Sequence, residues 1–215
     1  MVGALGLSAA AFCQSATAQI VPAAGPHAPG VGVTPNGLPL INITAPSAAG
    51  VSHNQYQQFD VPTQGAILNN AATIVQTQTG GLVPGNPNLT GDPARLILNQ
   101  VTSALSSNLA GYLEVAGSRA EVIVSNPNGI TCNGCGFINT SRGVLTTGLP
   151  VFGGSGSLEA FRVTDGTLYV TGNGFNASNL AARSWDVCEQ PCEGVRRPEE
   201  GSRARERSRQ ASRIG

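Results

Sequence analysis

Short runs of β-forming residues divide most of the chain, and this division is what most limits its possible folds. Each run is four to seven residues long, and most runs end at Gly, Pro, Asn or Asp, the residues that favour turns. No helical period is sustained for long, and 28 Gly and 14 Pro disfavour helices. The sequence therefore predicts an all-β protein, with strands near residues 40–44, 58–61, 66–69, 73–76, 95–101, 112–115, 120–125, 137–140, 143–147, 158–163 and 167–171.

Several of these runs are apolar on both faces. Residues 96–101 carry aliphatic side chains at odd and even positions, and residues 121–124 are nearly continuously apolar. Such strands suit a solenoid of stacked coils, and a β-sandwich also tolerates them. The tripeptide Asn-Pro-Asn occurs at residues 86–88 and 126–128, forty residues apart, or about two solenoid coils of about twenty residues each. The spacing favours the solenoid, but periodicity alone leaves the sandwich open.

Charge is scarce in most of the chain and concentrated at its end. The sequence has no Lys, and before residue 183 it has four Arg and six acidic residues. Nothing there resembles a basic nucleic-acid-binding patch, so we expect no nucleic-acid partner. Residues 183–215 hold eight Arg and six acidic residues with few large apolar ones, a composition that buries too little surface to fold. We expect this segment to be a disordered or frameshifted tail.

The first eighteen residues have the pattern of a secretory signal peptide. An uncharged apolar run, Val2–Phe12, precedes the small-residue sequence Ala-Thr-Ala at residues 16–18, which is typical of a cleavage site. No positively charged segment precedes the run, which a truncated start would explain. Residues 19–37 are rich in Pro and Gly and lack an apolar period, so they predict an extended segment. The folded domain is then expected over residues 38–182.

The two Asn-Pro-Asn tripeptides have a clear structural meaning. Proline fixes the backbone angle φ near the value that the second position of a β-turn needs. The leading asparagine can bond the backbone two residues on, and the trailing one tolerates a left-handed conformation. Each tripeptide therefore predicts a turn that ends a strand. An apolar residue follows closely after both copies, and the second runs directly into the sequence Thr-Cys-Asn-Gly-Cys at residues 131–135.

Together these motifs resemble the two-partner secretion domain of the filamentous haemagglutinin, haemolysin and contact-dependent inhibition exoproteins. The matching sequences are Asn-Pro-Asn-Leu at residues 86–89, Asn-Pro-Asn-Gly-Ile at residues 126–130, and the blocks at residues 52–61 and 65–70. The resemblance extends over about residues 38–180. It implies a right-handed parallel β-helix whose amino-terminal end is capped by extra strands.

The resemblance also implies a function and a partner. Such domains are exported across the inner membrane and recognised by the periplasmic POTRA domains of an outer-membrane β-barrel transporter. They then fold outside a Gram-negative cell, secreted or at its surface, and the adhesin, haemolysin or toxin activity resides in later sequence. In the family the two turns support the fold and secretion, and we assign that role to Asn86, Pro87, Asn88, Leu89, Asn126, Pro127, Asn128, Gly129 and Ile130.

The pair Cys132 and Cys135 admits three interpretations. Redox catalysis would need the first cysteine at a helix amino terminus, whereas this pair lies among Asn and Gly between two strands. A zinc site would need two further ligands, and Cys188 and Cys192 are the only other cysteines after the signal peptide. A structural disulfide that fixes the loop after the second turn is the favoured interpretation, and members of the resembling family often carry such a pair there.

No catalytic site, metal site or cofactor is expected. Gly-x-Ser-x-Gly, phosphate-loop and His-Glu-x-x-His sequences are absent, and His27 and His53 lie in Pro-rich and polar surroundings. A polysaccharide-degrading β-helix would need clustered Asp, Arg or Lys, and the acidic residues are scattered. The alternative is a stand-alone secreted adhesin or carbohydrate-binding β-solenoid, whose partner would be a host cell surface or a carbohydrate.

Overall fold

The computed structural model describes residues 19–176 and the backbone of residues 185–188. Apart from one turn of 3-10 helix, Gly154–Gly156, the regular structure of these residues is all β. The strands are β1 (Ile20–Pro22), β2 (Gly30–Val33), β3 (Pro39–Asn42), β4 (Val51–Phe59), β5 (Ala66–Asn70), β6 (Val75–Gln76), β7 (Leu82–Val83), β8 (Leu96–Val101), β9 (Ser107–Leu109), β10 (Tyr112–Gly117), β11 (Ala120–Ser125), β12 (Ile130–Cys132), β13 (Cys135–Ile138), β14 (Thr140–Thr146), β15 (Leu149–Phe152), β16 (Leu158–Arg162), β17 (Leu168–Val170), β18 (Phe175–Asn176) and β19 (Trp185–Cys188).

Three parallel sheets wind into a β-helix. Sheet 1 contains β4, β8, β11, β14 and β19, sheet 2 contains β3, β5, β10, β13 and β18, and sheet 3 contains β9, β12 and β17. The chain passes from sheet 1 to sheet 3 to sheet 2 and then begins the next coil. The register pairs Leu96 with Glu121, 25 residues later, and Glu121 with Arg142, 21 residues later. These coil lengths agree with the length of about twenty residues expected for a solenoid.

Two antiparallel strands close the amino-terminal end of the helix. Strand β1 pairs with β4 at the edge of sheet 1, and β2 pairs with β3 at the edge of sheet 2. Both lie in the segment that the sequence predicted only as extended. The predicted fold class, an all-β parallel β-helix with amino-terminal capping strands, is confirmed. The sandwich that the strand periodicity left open is excluded.

Two hairpins explain why some strands are apolar on both faces. One face of each strand lines the core inside the coils, where Tyr56, Ile97 and Phe137 are buried. The hairpin β15–β16 covers the outer face of sheet 1, where it packs on Leu98 and its neighbours. The hairpin β6–β7 likewise covers the outer face of sheet 2, where Val83 packs beside Ile67 and other buried side chains. Burial on both sides favours nearly continuous apolar runs.

The predicted domain boundaries stay predictions. The expected signal peptide, residues 1–18, lies outside the described residues. Of the expected tail, residues 183–215, only the four residues of β19 are described, and they pair in parallel with β14. The described residues include no helix that is long and apolar enough to cross a membrane.

Candidate functional site

The two Asn-Pro-Asn turns have the same internal hydrogen bonds. In each turn the side-chain oxygen of the first asparagine accepts a hydrogen bond of 2.9 Å from the backbone N–H of the second asparagine. In each, the backbone N–H of the fourth residue donates to the carbonyl of the first asparagine at 3.1 Å. The proline occupies the second position of a hydrogen-bonded β-turn, as predicted, because its fixed φ fits there.

Asn86 joins the first turn to two strands of sheet 2. Its side-chain nitrogen donates 2.9 Å hydrogen bonds to the carbonyls of Ile43 and Asn69. The Asn88 side chain donates to the same Ile43 carbonyl at 3.1 Å. Asn86 is buried, whereas Pro87 is exposed and Leu89 is half-buried. The amide of Asn86 thus satisfies carbonyls where β3 and β5 end, which a buried backbone requires.

Asn126 holds the second turn against two neighbouring coils. Its side-chain nitrogen donates to the carbonyl of Leu105 and the hydroxyl of Ser107, both at 2.9 Å. Its backbone N–H donates to the carbonyl of Thr146 in the next coil at 3.0 Å. Asn126 is completely buried, so its side chain satisfies polar groups that water cannot reach.

The remainder of the second turn leads the chain into the core. Gly129 has a φ of 106°, a conformation that glycine adopts without the strain of a side chain. Ile130 is 1% exposed and belongs to the central core cluster. Pro127 is half-buried, and Asn128 is exposed and donates to the carbonyl of Ser103 at 2.7 Å.

The two turns occupy different corners of the β-helix. Asn86 lies between β5 and β8, at the passage from sheet 2 to sheet 1, whereas Asn126 lies between β11 and β12, at the passage from sheet 1 to sheet 3. The interpretation of the tripeptides as a repeat two coils apart is therefore wrong. The forty residues between the two turns contain one full coil, β8, β9 and β10, and then β11 of the next coil, so the spacing is not a whole number of coils.

Cys132 and Cys135 form a disulfide across the corner between β12 and β13. The S–S distance is 2.00 Å and the Cα atoms are 5.3 Å apart. Both cysteines belong to the central core cluster, and the loop between them contains Gly134 with a φ of 85°. The bridge lies directly after the second turn and spans the corner that leads from sheet 3 to sheet 2.

Comparison with known protein families identifies the domain. The model of the TPS secretion domain matches residues 18–185, which include both turns, the disulfide and all strands from β1 to β18. The chain belongs to this family. As a TPS domain, it is a secretion domain of haemagglutinin-like exoproteins.

Solved and curated relatives agree with this assignment. The crystal structure of the filamentous hemagglutinin secretion domain has a TM-score of 0.71 and 40% sequence identity, and it covers 78% of this chain and 54% of that one. The tRNA nuclease CdiA of Yersinia mollaretii is 52% identical over 150 residues, 69% of this chain and 5% of the relative. The tRNA nuclease CdiA-2 of Burkholderia pseudomallei is 51% identical over 164 residues, 76% of this chain and 5% of the relative. This TPS domain therefore spans about 5% of the length of these curated relatives.

Buried amides that the sequence did not single out connect successive coils of the TPS domain. The side-chain nitrogen of Asn54 donates to the carbonyl of Leu98 in the next coil, and that of Asn99 donates to Ile123 one coil further, both at 3.3 Å. Tyr56 donates its hydroxyl hydrogen to the side-chain oxygen of Asn99 at 2.9 Å. Burial raises the pKa of the Tyr56 hydroxyl well above its ordinary value.

Glu114 is a second residue that the sequence did not single out. The residue is 3% exposed, and its carboxylate accepts hydrogen bonds from the backbone N–H groups of Gln78 and Thr79 and from the Thr79 hydroxyl. These donors lie in the turn of hairpin β6–β7. The carboxylate therefore holds the hairpin turn on the outer face of sheet 2 by charge-assisted hydrogen bonds.

His53 lies on the outer face of sheet 1. The pKa of its imidazole lies below the ordinary value. Burial is the largest cause of this lowering, the hydrogen bond with Gln100 partly opposes it, and the charge of His27 lowers the pKa further. Within the described part of the chain, no group of three or more His, Cys, Asp or Glu residues is placed to hold a metal ion.

Proposed function

We propose that this TPS domain targets its exoprotein to an outer-membrane β-barrel transporter, which recognises the domain through periplasmic POTRA domains. The exoprotein then leaves a Gram-negative cell through that transporter, secreted or displayed at the surface. The domain itself has no catalytic role, and the activity of the whole protein resides in sequence outside the domain. The names of the CdiA relatives favour a toxin as that activity.

The single observation that carries this proposal is the match of the TPS family model to residues 18–185. The turn geometry supports a role for the two motifs. Each places a buried asparagine where it bonds strand ends or loops of other coils. We infer that the turns keep the β-helix in the form that the transporter pathway requires, because loss of either asparagine leaves buried polar groups without partners.

The test is release into the medium when the full chain is co-expressed with its candidate transporter. We expect Asn126→Ile and Pro127→Ala to reduce release while the amount of protein in the cell stays unchanged. The first removes the bonds to Leu105 and Ser107, and the second removes the fixed φ of the turn. Omitting the transporter should abolish release altogether.

A matched control is Asn108→Ile, which makes the same chemical change at an exposed position of β9. This variant should be released like the unaltered chain. Undiminished release of both turn variants would contradict the role assigned to the turns. Release that does not depend on the transporter would contradict the targeting function and favour a stand-alone secreted adhesin.

A further inference from the structure

The hairpin β15–β16, Leu149–Arg162, lies as a strap across the outer face of sheet 1. It leaves the helix after β14, and its strands pair with each other in antiparallel register. Leu158 and Phe161 of the strap pack against three side chains from three successive coils, Leu98, Ile123 and Val144. The strap therefore contacts several coils at once.

The tip of the strap reaches the first complete coil. The carbonyl of Ser155 accepts a hydrogen bond of 3.3 Å from the backbone N–H of Ala49. The carbonyl of Gly156 accepts one of 3.0 Å from the hydroxyl of Ser47. Ala49 and Ser47 precede β4, the first sheet 1 strand of the helix. The strap thus connects the coil that begins with β14 to the coil that begins with β4.

A histidine begins the row of side chains beneath the strap. The register pairs His53 with Leu98, Leu98 with Ile123, and Ile123 with Val144. Three positions of this row are therefore aliphatic, and the fourth, beneath the strap tip, is titratable. A neutral imidazole fits such a surface, whereas an imidazolium placed there loses hydration.

Two rings flank His53 in this position. The ring centroid of Phe152, on the strap, lies 4.8 Å from that of His53. The ring centroid of His27, in the segment between β1 and β2, lies 4.3 Å from that of His53. The backbone carbonyl of His27 accepts a hydrogen bond of 2.8 Å from the N–H of Gln55, which fixes the segment beside β4.

The proton-binding atom of His53 follows from its hydrogen bond. Nε2 of His53 lies 2.7 Å from the side-chain oxygen of Gln100, which only accepts hydrogen bonds. Nε2 therefore carries a hydrogen in the neutral ring, and Nδ1 is the atom that takes up a proton. A cavity of about 430 Å³ lined by His27, His53, Gln55 and Phe152 opens beside the rings and gives water access to them.

Within the described residues, His27 is the one charge that shifts the pKa of His53. Arg95 on the β8 side donates to the carbonyl of Ala49, and Glu159 of the strap lies against Gly153. Gln100 of β8 and Phe152 of β15 are neutral. The charge of His27 opposes a proton on His53, because the two ring centroids are 4.3 Å apart with the ring planes tilted by 36°.

We propose that His53, held between His27 and Phe152, forms a proton-sensitive clasp, which holds the strap tip on the first coil while the His53 ring is neutral and releases it when that ring is protonated. Burial is the largest cause of the lowered His53 pKa. Because the released state binds the proton more readily, docking is fully stabilised above the ordinary histidine pKa of about 6.5 and weakens as the pH falls below it.

Hydrogen exchange of the Ala49 amide in the full chain tests the clasp, because this amide donates to Ser155 of the strap tip. We expect its protection factor, corrected for the intrinsic pH dependence of exchange, to fall at least about fivefold between pH 7.5 and pH 5.0. That factor corresponds to the repulsion of about 1 kcal/mol between two unit charges 4 Å apart in water. The Asn86 amide, which donates to Ala71 in the connection between β5 and β8, is the control and should keep its protection.

Two variants separate the clasp from other causes. His53→Leu restores the aliphatic row and should make Ala49 protection equal at both pH values. His27→Gln removes only the like charge and should reduce the pH effect without abolishing it. Equal protection of Ala49 at both pH values in the unaltered chain overturns the proposal. A pH effect that survives in His53→Leu also overturns it, as does a loss of Asn86 protection that parallels the loss at Ala49.

Discussion

Replacement of Asn126 by alanine should cost about 3 kcal/mol of unfolding free energy. The substitution removes three side-chain hydrogen bonds of 2.9 Å, to Leu105, Ser107 and the backbone N–H of Asn128, and a longer one of 3.4 Å from the Asn128 side chain. A hydrogen bond contributes about 1 kcal/mol net, and buried partners left without one add to the cost. Because small domains have a total stability of about 5–15 kcal/mol, this is a large fraction of it.

Urea unfolding followed by far-ultraviolet circular dichroism measures this cost. With a denaturant slope of about 2 kcal/mol per molar, the midpoint should fall by about 1.5 M. The matched control is Asn128→Ala in the same turn, which loses the exposed bond to Ser103 and the long 3.4 Å bond to Asn126 and should shift the midpoint by about 0.5 M or less. A shift below about 0.5 M for Asn126→Ala, or equal shifts for the two variants, would refute the conclusion that burial makes the first asparagine the dominant residue of the turn.

Two further predictions concern the corner disulfide and the buried carboxylate. Replacing Cys132 and Cys135 together by serine should lower the unfolding free energy by about 2 kcal/mol, because the bridge closes a loop with a sequence separation of only 3. Calorimetry with and without reductant measures this change. An unchanged melting temperature would contradict the prediction. Glu114→Gln should weaken the three bonds to the β6–β7 turn by about 1–2 kcal/mol in total. Exchange of the Gln78 and Thr79 amides should then accelerate while the Asn126 amide stays protected, and equal acceleration at all three would show general destabilisation instead.

The sequence predicted best those strands and turns whose chemistry is local. The run at residues 120–125 matches β11, and residues 95–101 contain β8, because aliphatic residues bounded by turn formers are a direct strand signal. The Asn-Pro-Asn turns were predicted for the same reason, since proline and asparagine act on their own backbone. Their placement on different corners was not predictable, because it depends on the number of residues in each connection between strands.

Strand β4 was largely missed because its side chains are mostly polar. Only its last two residues fell within a predicted run, although Val51–Phe59 is the longest strand described. Asn54 on this strand is fully buried and bonds the next coil. A side chain whose partner lies a whole coil away gives no periodic signal, so hydrophobicity alone treats it as exposed.

The hairpins also escaped recognition for a non-local reason. Residues 158–163 were predicted as a strand and form β16, but nothing local indicates that this strand leaves the helix to cover Leu98 and Ile123. The apolar outer face of sheet 1 was visible in the sequence, and its explanation required the strap. Glu114 similarly gave no signal, since the N–H groups that it binds lie 35 and 36 residues earlier in the chain.

Both hairpins share a property that is useful for protein engineering. Each departs from the end of a sheet strand, and the parallel register of the flanking strands continues on either side of it. Residues inserted between two strands at a corner therefore change neither the number of stacked coils nor their register. Epitope tags or fluorescent-labelling sequences grafted into the β6–β7 connection should leave the neighbouring coils in register, whereas a single residue added inside β11 would turn every later side chain of that strand to the opposite face.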